Sequence, residues 1–181
     1  MVSELMLFFI FYVSALLEVS FFPAFSWTGS AFYFVFILSF LLVFFELKKE
    51  WLFSMVLGGF LLDIFSGGIF GLKTINLILA VLFTKFLLSF IREKKLFWFI
   101  PIFMASFLAY KTSSIIFNLI FWEASSILTR GSYLRIYSIL DSFSQYSFWA
   151  SLVYGATYNL ILAILGFLLV KYGFFPLKKR L

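Results

Sequence analysis

The chain has 181 residues, of which 64% are hydrophobic, 24% aromatic and 12% charged, with 30 Phe, no His, no Cys and a formal charge of +6. A water-soluble domain carries about a quarter of its residues charged, so this composition calls for a lipid bilayer as solvent and excludes soluble enzymes and nucleic-acid binders. Without His or Cys the chain also lacks disulfides, thiol nucleophiles, imidazole bases and the usual zinc ligands.

The first predicted element, 5–22, reads as a retained helix and not as a cleaved signal, because residues 1–11 carry Glu4 and no basic residue and the apolar run continues to Glu18. Pro23, Ser26 and Gly29 mark the turn after it. A second span, 30–45, ends at the charged cluster Glu46, Lys48, Lys49 and Glu50. The third, 51–66, starts at Trp51 and meets Asp63 after an uncharged stretch about 18 Å long at 1.5 Å per residue, past the middle of the bilayer. Ser66, Gly67, Gly68 and Gly71 then break the helix.

The fourth span, 72–91, stops at Arg92, Glu93, Lys94 and Lys95, and the fifth, 96–122, carries Pro101 near its start, where a missing N–H costs least. Residues 123–147 form an outer segment with Ser-rich turns and apolar residues at helical spacing: Ile136, Ile139, Leu140 and Phe143. Two readings fit it. One is a helix lying in the interface with Arg135, Ser138 and Asp141 wet; the other is a plain polar loop. The sixth span, 148–170, precedes the basic tail Lys178, Lys179 and Arg180. The predicted fold is therefore a single all-α integral membrane domain, 1–181, with six transmembrane helices and no internal repeat.

Orientation follows from basic residues. Lys48, Lys49, Arg92, Lys94, Lys95, Lys171 and the three basic residues of the tail fall on one side, against Lys73, Arg130 and Arg135 on the other. The positive-inside bias then puts both termini in the cytoplasm.

Four charges lie within the spans, where each costs about 2.5–3.5 kcal/mol on insertion scales and must meet other helices, water or a partner charge. Glu18 sits near the outer end of its span and Lys85 near the cytoplasmic end of the fourth, so each can reach the interface. Asp63 and Lys111 lie at similar depth, and an interhelical ion pair between them is expected, with Lys73 as a competing partner for Asp63. The functional alternative is a coupling or substrate site, but one acid without a second carboxylate or a His makes a poor proton relay. Small and polar residues share single helix faces: Gly59, Asp63 and Gly67; Lys73, Asn76, Ala80 and Thr84; Gly155, Asn159, Ala163 and Gly166. Such stripes let helices approach closely in lipid, where no hydrophobic force drives them together. No nucleophile has a base beside it, no facing carboxylates occur and no phosphate-loop motif is present, so catalysis is not expected and no cofactor is implied.

The string Leu57-Gly58-Gly59-Phe60-Leu61-Leu62-Asp63-Ile64-Phe65-Ser66-Gly67-Gly68-Ile69-Phe70-Gly71-Leu72 resembles the central signature of the MreD family, the membrane subunit of the bacterial rod-shape machinery. Pro23 after the first span, the charged break after the second, and Tyr158-Asn159-Leu160 before a basic tail are weaker points of similarity. The resemblance implies a six-helix fold similar to the substrate-capture (S) subunits of energy-coupling-factor transporters, in the inner membrane and without enzymatic activity. It implies an MreC-like partner, near the actin-like MreB, the glycosyltransferase RodA and a class B penicillin-binding protein. It puts the family motif on Gly59, Asp63, Gly67 and Gly71, with Asn159 as a further match; Lys73 and Lys111 are interaction candidates from the residue reading alone. Asp63 is expected to accept hydrogen bonds from backbone N–H groups at the start of the fourth span. The chain departs from the family in its Phe richness and its polar 123–149 stretch.

A second reading is the substrate-binding membrane subunit of a vitamin or solute transporter on the same fold. Such subunits carry an Ala-x-x-x-Ala face on the first helix, whereas this chain has Val13-Ser14-Ala15-Leu16-Leu17-Glu18. A ligand site in that reading would draw on Tyr154, Tyr158, Trp149, Lys73 and Glu123. An independent channel or proton-coupled carrier has neither an inverted repeat nor a chain of titratable groups to support it.

Overall fold

The structure, a computed structural model, describes residues 4–21, 23, 32–45, 51–67, 69–91, 96–130 and 146–173, and these contain helices and turns with no strand. Helix α1 (Glu4–Leu16) runs on into a wider π-type turn over Leu17–Phe21. It is followed by α2 (Phe34–Phe44), α3 (Trp51–Ser66), α4 (Leu72–Ser89), α5 (Leu96–Arg130) and α6 (Tyr146–Leu168), the last closing in a second π-type turn, Leu169–Gly173. Three segments are long and apolar enough to cross a membrane: Leu72–Ser89, Phe97–Asn118 and Leu152–Tyr172. They mark the chain as a membrane protein. The expected spans 5–22, 30–45 and 51–66 correspond to shorter apolar helices, Met6–Phe21, Phe34–Phe44 and Met55–Ser66, so helix length establishes three crossings where six were expected.

One boundary is corrected outright. The expected outer segment 123–147 begins as helix, because α5 continues to Arg130. Residues 123–130 contain no Gly or Pro, and the first helix-stopping residue is Gly131. The amphipathic spacing at Ile136, Ile139, Leu140 and Phe143 lies outside the described residues.

Helix α2 is apolar on every side and is buried accordingly, with Val35, Phe36, Ile37, Ser39, Phe40, Leu41, Val43 and Phe44 all inaccessible. Its rings mesh with those of α5 in a ladder. Tyr33 packs on Phe107 and Tyr110 at ring-centroid distances of 5.8 and 5.4 Å, Phe36 on Phe103 and Phe107 at 5.8 and 6.0 Å, and Phe40 on Phe103 and Phe99 at 5.1 and 5.4 Å. Phe44 then meets Phe99 at 5.1 Å, so the two helices run antiparallel. Each edge-to-face or offset pair contributes about 0.5–1.5 kcal/mol beyond area burial, which matters in lipid, where burying an apolar side chain gains little by itself. Phe167 of α6 closes the far end of the ladder at 4.7 Å from Phe99 and 6.0 Å from Phe44.

Polar and small residues form the other seams. On α4, Thr84 donates to Ser106 of α5 at 2.9 Å, Asn76 donates to the Tyr110 carbonyl at 3.2 Å, and the Ser113 hydroxyl donates to Asn76. On α6, Gly155, Asn159 and Ala163 are buried. A Cβ on Gly166 would meet Leu41 Cδ1 at 2.7 Å, so α2 and α6 touch where the glycine leaves room. The opposite faces present Ile75, Leu79, Leu82 and Phe86 on α4 and Val153, Ile161 and Leu165 on α6, all exposed as lipid contact requires.

Candidate functional site

The polar residues of the Gly-Asp-Gly string converge on the corner between α3 and α4. Gly67 and Gly71 both adopt positive φ, 62° and 87°, a left-handed conformation that glycine reaches without a Cβ clash. Gly71 occupies the N-cap of α4 and has no side chain with which to satisfy the helix's first N–H groups. Asp63 supplies the missing acceptor from α3: Lys73 N–H donates to Oδ1 at 2.9 Å, and Thr74 donates both its N–H, at 3.1 Å, and its hydroxyl, at 2.5 Å, to Oδ2. A carboxylate there also complements the positive end of the helix dipole. The fit is tight because α3 and α4 touch backbone to backbone, a Cβ on Gly59 lying 2.5 Å from Thr74 Cα. Gly71, in contrast, has open space around it. Gly71→Ala is therefore expected to cost only its backbone strain, about 1–2 kcal/mol, read as a small drop in the thermal midpoint in detergent with helical content unchanged.

A second acid does the same for α2. Glu18, in the π-type turn after α1, accepts the Val35 N–H on Oε2 at 3.0 Å, and the Phe34 N–H is also directed at its carboxylate. The sequence reading had Glu18 reaching the interface; the wider turn carries it inward instead. The preceding N–H, that of Tyr33, donates to Asn159 Oδ1 of α6 at 2.8 Å, while Asn159 Nδ2 donates to the Gly155 carbonyl at 2.7 Å. Three successive backbone donors at the start of α2 are thus satisfied by other helices, which a low-dielectric surrounding demands.

The expected ion pair between Asp63 and Lys111 is not formed. Lys111 donates to the Tyr33 hydroxyl at 2.5 Å, and its ammonium lies 4.5 Å from the Tyr33 ring centroid. Asp63 is taken by the N-terminus of α4, whose N–H groups are fixed in place by the helix and carry partial positive charge. Lys73, the competing partner, contacts Asp63 through its backbone N–H, while its ammonium lies within Coulombic reach of both Asp63 and Glu18.

The structure therefore brings Gly59, Asp63, Gly71 and Lys73 into one corner. Asn159 and Lys111 meet on Tyr33, at the start of α2, and Gly67 marks the end of α3. Sequence reasoning passed over Glu18 as a cap, Tyr33 as the shared partner, Thr74 as the double donor and Gly58, whose Cβ would meet Phe11 and Val35 at 2.7 and 2.8 Å. One signal was available: each acid precedes the start of an apolar helix that has no capping side chain of its own, Tyr33 and Gly71 being the N-cap residues. Chemically, the arrangement holds helix ends together; its carboxylates are occupied as hydrogen-bond acceptors. Compared with protein-family models, with curated proteins and with solved structures, the chain matches none.

Proposed function

We propose that the chain is a non-enzymatic scaffold of the rod-shape and cell-wall elongation machinery, an MreD-like protein supporting lateral peptidoglycan synthesis. In this reading it crosses the inner membrane six times in an S-component-like bundle with both termini in the cytoplasm. It works beside an MreC-like protein, near MreB, RodA and a class B penicillin-binding protein. The observation that carries the reading is the use of the Gly59, Asp63 and Gly71 positions of the MreD-like string as one clasp, in which the single acid is spent on holding α4 to α3. An acid so engaged suits a protein whose task is to keep a shape for partners. Exposed apolar side chains on α1 and α3, among them Phe8, Phe9, Val56, Phe60 and Ile64, leave room for lipid or for a partner's helices.

Depleting the protein in a rod-shaped host is expected to round the cells, and affinity purification from membranes is expected to recover the MreC-like partner. Unchanged shape together with lost uptake of one vitamin would overturn the scaffold reading in favour of the transporter subunit. That alternative takes its ligand site from Trp149, Tyr154, Tyr158, Lys73 and Glu123; the first three are exposed on α6, and Lys73 stands at the corner between α3 and α4.

A further inference from the structure

Both acids near the start of α2 are engaged with helix ends, and one positive charge beside them is left without a carboxylate. Lys111 lies inside the membrane-length segment Phe97–Asn118 of α5. Its ammonium donates to the Tyr33 hydroxyl and rests 4.5 Å from the Tyr33 ring centroid. Among the described residues no carboxylate comes within ion-pair distance of it. Asp63 accepts the N–H groups of Lys73 and Thr74, and Glu18 accepts that of Val35. A charge inside a membrane helix costs about 2.5–3.5 kcal/mol on insertion scales, so such residues either pair or line the path of a ligand.

Donors outnumber acceptors around this ammonium. It carries three N–H groups, of which Tyr33 takes one, and the Tyr33 hydroxyl, accepting from Lys111, keeps its own proton to give. The rings of Phe107 and Tyr110, packed on Tyr33 at 5.8 and 5.4 Å, hold that phenol in place. Ser114, three residues on and so on the same face of α5, makes no side-chain hydrogen bond among the described residues. Lys111, Tyr33 and Ser114 are all half-buried, whereas Asn118, a further turn along that face, is exposed. Lys111, Ser114 and Asn118 therefore form a polar ribbon, at spacing i, i+3, i+7, from the ammonium to the end of the apolar segment, along which a ligand can arrive. One positive charge with several hydrogen-bond donors fits an oxyanion, and a phosphate presents several acceptor oxygens to one side. We propose that Lys111, Tyr33 and Ser114 form a phosphate-binding site, filled by free phosphate or by the headgroup of an anionic phospholipid. The site rests on neither of the two functional readings above.

Two measurements on the full chain in detergent test it. The first compares the thermal midpoint in sodium phosphate and in sodium chloride at matched ionic strength; the second is native mass spectrometry after exchange into equimolar phosphatidylglycerol and phosphatidylcholine. A midpoint raised by phosphate identifies the free ion as a ligand, and retained phosphatidylglycerol without that rise identifies the headgroup. Lys111→Gln is expected to weaken whichever binding is found by about tenfold or more, while the nonspecific stabilisation that phosphate gives any protein persists in the variant and is subtracted. Lys171→Gln, which removes a charge from the turn that closes α6, should change neither result. Tyr33→Phe and Ser114→Ala each remove one hydroxyl, keep the charge and should weaken binding by a smaller factor; they decide the matter if circular dichroism shows Lys111→Gln unfolded. Equal behaviour of the unchanged chain and Lys111→Gln in both measurements overturns the proposal. So does a loss that Lys171→Gln reproduces in full, or binding that neither hydroxyl deletion weakens.

Discussion

Gly59→Ala is expected to destabilise the protein by about 3 kcal/mol, although alanine is the better helix former by about 1 kcal/mol. The new methyl would stand 2.5 Å from Thr74 Cα, and a backbone atom cannot rotate aside as a side chain can. The helices must separate there, and Thr74 is the residue that gives Asp63 two of its three hydrogen bonds. Gly58→Ala is the internal comparison. Its Cβ would press on Phe11 and Val35 side chains, which can shift, so it should cost less. Unfolding in graded denaturant, followed by circular dichroism, gives the order of the two variants. A Gly58 variant weaker than the Gly59 variant would contradict the close approach at Thr74.

Asp63→Ala is expected to cost about 2–4 kcal/mol, because it leaves two N–H groups and a hydroxyl without their acceptor in a place where Asp63 is only 3% exposed. Asp63→Asn keeps an acceptor oxygen for one donor group and should fall about halfway. Hydrogen exchange localises the effect: the amides of Lys73 and Thr74 should lose protection in the alanine variant before those in the middle of α4. Unchanged exchange at both amides would show that the carboxylate does not hold the helix end. Salt is expected to have little influence on the difference, since the pair of helix and acid is shielded from the solvent ions.

Much of this arrangement was legible in the residues. Helical periodicity places most of the small and polar stripes on buried faces: Gly59 and Asp63; Asn76, Ala80 and Thr84; Gly155, Asn159 and Ala163 are buried, whereas Lys73 and Gly166 are half-buried and Gly67, just past the end of α3, is exposed. The N–H partners of Asp63 lie where the expectation about the start of the fourth span put them. The Asp63–Lys111 pairing failed for a definite reason. Counting residues along a span gives depth but not the direction around the helix axis, and Lys111 turns toward Tyr33 at the start of α2. Glu18 was misjudged because a π-type turn changes the angular advance per residue, which a regular helical count does not include. The length of α5 was misjudged because Glu123, Ser125, Ser126, Thr129 and Arg130 are polar enough to suggest a loop, while none of them stops a helix.

The ladder of rings between α2 and α5 has a mechanical consequence. Sliding one helix along the other would unseat Tyr33, Phe36, Phe40 and Phe44 from the gaps between Phe99, Phe103, Phe107 and Tyr110 all at once. With each contact adding about 0.5–1.5 kcal/mol, resistance to shear accumulates along the whole length. A push delivered at one end of the ladder therefore travels to the other as through a strut, with little of it absorbed on the way.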